Sequence, residues 1–207
     1  DGTHDGRTWD FADRGEGFRN TQSLRGRSEH GFFHWSANFD EIQDFEHDIR
    51  GPFQGEGFMK DSDFNILSRN QTLGTNKAGV SIELDQLAAY VHSLKTPSQS
   101  PYRQNNGRLT PEAIKGKALF ESKLVGCASC HTGKHFTDAS LKSPPKLHDV
   151  GTLSDFSGKR MGKKLKGIET PGLWELWDSA PYLHNGSAKT LYDVLKTKNL
   201  DDKHGKT

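Results

Sequence analysis

The chain's only two cysteines, Cys127 and Cys130, sit together in "VGCASCHTGKHF", and His131 directly follows the second. No other feature constrains the fold as much. Two thiols at this spacing can close a redox disulfide, supply half of a zinc site, or bond the two vinyl groups of a haem. A redox disulfide of the thioredoxin kind follows a strand in a βαβ pattern, and no such pattern precedes Cys127. A structural zinc needs a second pair of ligands; there is no third cysteine, and no histidine pair stands out. An imidazole beside the second thiol is what haem attachment adds, because it binds the iron from one side. The pattern favours covalent c-type haem, with Cys127 and Cys130 as anchors and His131 as proximal ligand.

The composition suits that reading. With 207 residues the chain has room for one large domain or two small ones. Only 31 % of residues are hydrophobic and 22 are glycine, so the core per residue is thin. A covalently held haem would give such a chain a large apolar body to pack around. The formal net charge of +1 implies no nucleic acid or other polyanion as partner. No run of 18 apolar residues occurs, so no membrane span is expected. The chain opens mid-phrase with "DGTHDGRTWDF" and shows no leader, which suggests a processed chain or a piece of a larger multi-haem chain or complex. Haem attachment to this motif is generally carried out beyond the cytoplasm, so a periplasmic or extracellular location is expected.

A cluster of Pro, Ser, Gln, Asn and Gly in "KTPSQSPYRQNNGRL" marks a linker over 96–109. It separates an N-terminal unit, 1–95, from a C-terminal unit, 110–207, that carries the motif. Before it, "SIELDQLAAYVHSL" reads as a helix with Ser81 as N-cap. After it, "TPEAIKGKALFES" reads as a helix with Thr110 as N-cap, Pro111 in its first turn and a buried stripe of Ile114, Ala118 and Leu119. Further amphipathic stretches carry Phe39, Ile42, Phe45 and Ile49, and then Leu191, Val194 and Leu195. Strand signals are weak. The expectation is a mostly α fold: two cytochrome c-like halves with long irregular loops wrapped around c-type haem. A short echo supports the halves: "NKAGVS" at 76–81 and "DKHGKT" at 202–207 share Lys-X-Gly, with X being Ala78 and His204.

"ETPGLWELWDSAPYLHNGSAKTLYDVL" (169–195), placed after a Cys-x-x-Cys-His, resembles the C-terminal half of the bacterial di-haem cytochrome c peroxidase and MauG-like superfamily. "GFRNTQSL" (17–24) and "FHWSANFDEIQDF" (33–45) resemble its N-terminal half. The family has two haem motifs and this chain has one, so the resemblance places a first motif upstream of Asp1 or leaves it absent. It implies that Trp35 lies between haems as an electron bridge. It puts His184 near the second haem and between the halves. It also implies a calcium ion held by Asn20 with carbonyls near Ser179 and Pro181, oxygen donors that suit a hard cation. Gln43 and Glu56 fall roughly where the family keeps a distal polar pair, which makes them the candidate catalytic residues.

The sixth position on the iron decides between functions. His204, 73 residues past His131 (204 minus 131), is the first choice, from the family's spacing and from the echo. Met161 is the rival; a thioether there would raise the iron's potential relative to two imidazoles. His135 and His148 are expected at the surface or on propionates, and His47 and His92 on helices. Trp174 and Trp177 are expected to wall the haem pocket. With His131 and His204 or Met161 both bound, the haem passes electrons to and from a redox protein or a neighbouring haem domain, and that reading is preferred. The alternative is a peroxidase or MauG-like oxidoreductase acting on hydrogen peroxide. It requires a second, open haem and an acid–base group over it.

Overall fold

The computed structural model describes residues 4–12, 15–27, 30–139 and 144–207. Its helices are α1 (Phe45–Arg50), α2 (Asp61–Leu67), α3 (Ile82–Ser93) and α4 (Pro111–Phe120). Two short antiparallel hairpins pair β1 (Thr8–Phe11) with β2 (Gly17–Asn20), and β3 (Lys159–Arg160) with β4 (Lys163–Lys164). Helices lead the regular structure, yet loop makes up most of the described chain. A mostly α description is therefore corrected. Segments this poor in apolar residues cannot supply a continuous buried stripe for long helices.

The caps read from sequence set the helix starts. Ser81 Oγ accepts from Leu84 N–H (3.3 Å), and α3 buries Leu84, Ala88 and Val91. Thr110 Oγ1 accepts from Ala113 N–H (3.2 Å), and Pro111 opens α4. The buried stripe expected on α4 does not form: Ile114 is 56 % and Leu119 62 % exposed. Only the half-buried Phe120, against the rings of His131 and Phe136, ties its end to the motif. Phe39, Ile42 and Phe45 pack as expected, on Phe33, Ala88 and Val91. Helix α1 nevertheless starts only at Phe45, because the Asp44 carboxylate accepts from the N–H groups of Asp40 (2.9 Å) and Glu41 (3.1 Å) and holds a 3₁₀ turn there.

Ion pairs supplement the small apolar core. Lys77 is 0 % exposed, with Nζ 2.6 Å from Asp44 Oδ1 and donating to the Thr75 carbonyl (2.9 Å). Burial pushes Asp44 up to about 6, and the Lys77 contact opposes that rise. Buried Glu46 accepts from Arg50 Nε (2.7 Å) and from the N–H groups of Phe58 (2.9 Å) and Met59 (3.0 Å), which fastens the 55–59 loop to α1.

Two loop segments share one backbone course. Phe33 bridges Phe39 and Tyr182 bridges Ala188, at one offset of 149 residues (182 minus 33, 188 minus 39). Within each bridge lies the same turn, Ala37 N–H to His34 carbonyl (3.0 Å) and Gly186 N–H to Leu183 carbonyl (3.1 Å). Left-handed residues match at that offset: Gly26 (φ 76°) with Glu175 (59°), His34 (64°) with Leu183 (70°), Ala37 (50°) with Gly186 (65°). The segments also grip each other reciprocally. Asn20 N–H donates to the His184 carbonyl (2.7 Å), and Glu169 N–H donates to the Trp35 carbonyl (2.8 Å). Matching residues trade matching bonds, as across a two-fold axis. In the shorter echo, Gly79 and Gly205 share φ values of 87° and 89°.

Removing Lys77 strands the buried Asp44 carboxylate. Lys77→Ala is expected to cost about 3–5 kcal/mol of unfolding free energy, measured by urea titration. A loss under about 1 kcal/mol would show that the pair contributes little.

Candidate haem site

A cavity of about 660 Å3 lies between the two repeated segments and the Cys-x-x-Cys-His loop. Ligand cavities typically span ~300–1,000 Å3. Gly126 (φ 87°) turns the chain into a 3₁₀ turn over Cys127–Ser129, and His131 N–H donates to the Cys127 carbonyl (3.0 Å). This turn sets both thiols and the His131 ring on the cavity. Both thiols are free, and burial pushes the Cys127 thiol up, which keeps it protonated.

The Phe136 carbonyl lies 3.0 Å from His131 Nδ1. The proton therefore sits on Nδ1, and Nε2 keeps the lone pair a metal needs. Burial lowers the His131 pKa and favours that neutral form. Across the cavity stands His204, its ring centre 6.2 Å from that of His131 and its plane tilted by 44°. A buried carboxamide holds its loop: Asn199 Oδ1 accepts from His204 N–H (2.8 Å) and Asn199 Nδ2 donates to the Gly205 carbonyl (2.7 Å). Lys206 N–H donates to the Val125 carbonyl (2.9 Å), which seats the loop beside the motif. Gly205 is needed there, because its φ of 89° disfavours a side chain and a Cβ would lie 3.1 Å from the Val125 carbonyl oxygen. His204 Nδ1 is buried without a hydrogen-bond partner, and burial, then the charge of His131, lowers its pKa to about 4.

These residues fit a haem. Two metal–imidazole bonds of ~2 Å put ligand nitrogens about 4 Å apart, and each ring adds about 1 Å to its centre, so centres near 6 Å suit one ion between them. Apolar side chains complete the walls, among them Val150, Ile168, Leu191, Val194 and Leu195. The C-terminal stripe read from sequence thus faces the cavity, with Val194 and Leu195 on a π-helical turn over Asp193–Thr197 and Leu191 just before it.

Other expected residues divide. Trp35 lines the cavity and donates its indole N–H to the Asn20 carbonyl (2.7 Å). Trp174 lines it too, its ring centre 4.6 Å from that of His135 at a tilt of 37° and pressed by the Gly26 turn, where a Cβ would meet the indole at 2.9 Å. Asn20, Ser179 and Pro181 all lie on the cavity wall. Asn20 Nδ2 donates to the Pro181 carbonyl, while its Oδ1 is buried without a hydrogen bond. His148 also lines the cavity, held by Asp138 (2.9 Å) with Nδ1 3.9 Å from Cys130 Sγ.

Five of the expected residues lie off the cavity wall. Trp177 does not line the cavity. Met161 sits at the tip of the β3–β4 hairpin, 53 % exposed and outside the cavity, because a lysine-rich turn carries it to solvent. His184 is fully buried behind the wall, its ring nitrogens each 3.3 Å from a hydroxyl, Thr152 Oγ1 and Ser157 Oγ. Gln43 is buried against α3 and donates to Asp85 Oδ1 (2.8 Å). Glu56 is exposed beside a separate cleft with His47 and Arg50. Gln43 and Glu56, expected over a haem of the first half, lie away from this cavity. Sequence reasoning missed Asn199 and the buried trio Arg27, His30 and Glu169 on the cavity wall. Only an Asn just past a helical stretch hinted at the first, and no spacing pattern marks the trio.

The chain is similar to several known proteins. A family model described as RoxA-like, cytochrome c-like matches residues 167–202. The gamma subunit of hydrazine synthase from Kuenenia stuttgartiensis is 27 % identical over 98 % of this chain and 63 % of its own length. A chain in a solved structure of that organism's hydrazine synthase matches all of this chain and 72 % of its own, at TM-score 0.63 and 25 % identity. The methylamine utilization protein MauG of Methylophilus methylotrophus is 32 % identical over 42 % of this chain and 27 % of its own length. The cytochrome c peroxidase Ccp of Escherichia coli is 29 % identical over 54 % of this chain and 26 % of its own length. The chain spans less than two thirds of the length of each of these curated relatives. Its cofactor is covalently bound c-type haem. These matches make the chain similar to proteins of the MauG and di-haem cytochrome c peroxidase-like superfamily.

Proposed function

We propose that the chain is a one-electron relay whose haem iron is bound by His131 on one face and His204 on the other. The observation that carries this reading is the 6.2 Å between the two ring centres across a cavity that also holds both thiols. Bound haem supplies reversible one-electron exchange. The chain does the rest. Cys127 and Cys130 fix the macrocycle through thioethers. The Phe136 carbonyl orients His131 and makes it a stronger donor. Asn199 positions His204 through its backbone. With two imidazoles bound, no position is open to peroxide.

Residues 1–95 and 110–207 then act as two cytochrome-like halves joined by 96–109. The backbone match at an offset of 149 residues supports this division. Trp35, reaching from the first half onto the cavity wall, is the side chain best placed to pass an electron between them. The partner is a redox protein or a neighbouring haem domain, met in the periplasm or outside the cell. Among the described residues no helix is long and apolar enough to cross a membrane. A calcium ion between the halves would take Asn20 Oδ1 and the Pro181 and Ser179 carbonyls, oxygen donors of the right kind. The peroxidase alternative belongs to a second, open haem of the first half, whose motif these 207 residues do not contain, with Gln43 and Glu56 as its candidate acid–base pair.

His204→Ala is expected to convert a low-spin spectrum to high-spin while the haem stays covalently attached; Met161→Ala should leave the spectrum unchanged. A low-spin His204→Ala protein would remove this ligation. Peroxide turnover by the native protein would restore the enzyme reading. A calcium chelator is expected to lower the melting temperature, by about 2–4 °C per kcal/mol of lost binding, and Asn20→Ala should erase the chelator's effect. Equal melting with and without chelator would exclude a structural calcium ion.

A further inference from the structure

Arg27, His30 and Glu169 stand on the same cavity wall, and the proposed ligation makes no use of them. Glu169 is 1 % exposed, and neither carboxylate oxygen has an aligned hydrogen bond. Its cation is held at a distance. Arg27 gives one amino group to the Phe32 carbonyl (3.0 Å) and the other to His30 Nδ1 (2.9 Å), which leaves it 3.8 Å from Glu169 Oε1. His30 Nδ1 lies 3.1 Å from the same oxygen. The ring cannot satisfy its surroundings. Gly172 N–H donates to Nε2 (3.0 Å) and the guanidinium faces Nδ1, yet a neutral imidazole has one acceptor nitrogen. His135, through its charge on His30, and Asp138, through its charge on Glu169, also face the pair. A carboxylate buried this way, with incomplete compensation, is balanced between its charged and neutral forms. Burial raises Glu169 to about 8 against the pull of Arg27, and lowers His30 to about 2, so the carboxyl is the group that exchanges a proton near neutrality.

The geometry points to Glu169 as a redox-linked proton site: its carboxylate takes a proton from solvent when the haem in the cavity gains an electron, and returns it on oxidation. This rests on the haem reading above. The electron comes from the redox partner and reduces iron(III) to iron(II). The proton converts the carboxylate to a carboxylic acid, so cavity and wall together keep their net charge. A negative charge added to a low-dielectric cavity is compensated within its own wall.

The test is the midpoint potential of the haem-loaded protein against pH, from about pH 6 to 10. The potential is expected to fall as pH rises, approaching ~59 mV per tenfold drop in proton concentration for a one-electron couple. Glu169→Gln should flatten the slope and hold the potential near its low-pH value; Glu169→Asp should keep the slope. A flat native profile overturns the proposal. So does an unchanged slope in Glu169→Gln, which would assign the proton to the haem propionates. Should Glu169→Gln fail to fold, native protein reduced in weakly buffered solution near pH 8 should take up as much as about half a proton per haem, read by an indicator dye; no uptake overturns the proposal. The spin state of each sample reports the ligation separately, so a high-spin native spectrum would count against His204 and leave the slope to be judged alone.

Discussion

Two backbone hydrogen bonds hold the cavity's opposite walls in place, Asn20 N–H to the His184 carbonyl and Glu169 N–H to the Trp35 carbonyl. All four residues are buried, so these peptide groups have no water to turn to and must stay paired. The bonds are reciprocal, so shifting one segment breaks both. The Asn20 carbonyl then takes the Trp35 indole, and Ile168, next to Glu169, packs on the same indole with Leu165. The wall is thus set by main chain first and side chains second. That ordering explains how segments of different sequence can keep one course: peptide groups specify it, and left-handed turns at matching positions repeat it.

The same economy shows in the charged groups. The apolar clusters are small: five residues around Phe39, three around Trp35, three around Leu84. Buried charges pack beside them, Lys77 with Asp44 near the first and Arg27 with Glu169 near the cavity. The two pairs differ in geometry. Lys77 touches its carboxylate at 2.6 Å, whereas Arg27 stays 3.8 Å from its own. A close pair offsets desolvation and fixes register; a distant one leaves a carboxylate whose charge is easily lost. Contact distance, more than residue type, separates a structural pair from a titrating one.

Chemistry was legible in the sequence where it is local. The motif placed both thiols and His131 on one cavity, and Ser81 and Thr110 capped the helices they were read to cap. His204 faces His131, the position suggested by spacing and by the echo. What failed depends on three-dimensional context. Helical periodicity marked Ile114 and Leu119 as buried, but periodicity shows only that a stripe exists, not that anything covers it. The long repeat went unseen because, of the residues it pairs, few agree in type beyond Thr21 with Thr170 and Leu24 with Leu173. Its left-handed positions hold Gly26 against Glu175 and Ala37 against Gly186, and no residue pattern links such pairs.

The difference between relay and peroxide chemistry narrows to a short loop. His131 belongs to a turn fixed by its own backbone bonds and by the Phe136 carbonyl. His204 has no such rigid element beneath it. Its loop is held by the Asn199 carboxamide, by Lys206 N–H on the Val125 carbonyl, by the Thr207 hydroxyl on the Leu195 carbonyl and by Lys203 3.6 Å from Asp149, and Gly205 supplies the left-handed bend. A filled sixth position needs only that the free energy of these few bonds, added to metal–imidazole bonding, exceed the freedom the loop regains on opening. On the proposed ligation, such a chain can change between electron carrier and open haem by altering the contacts around Asn199 and Thr207, with the motif, the cavity and the paired walls left as they are.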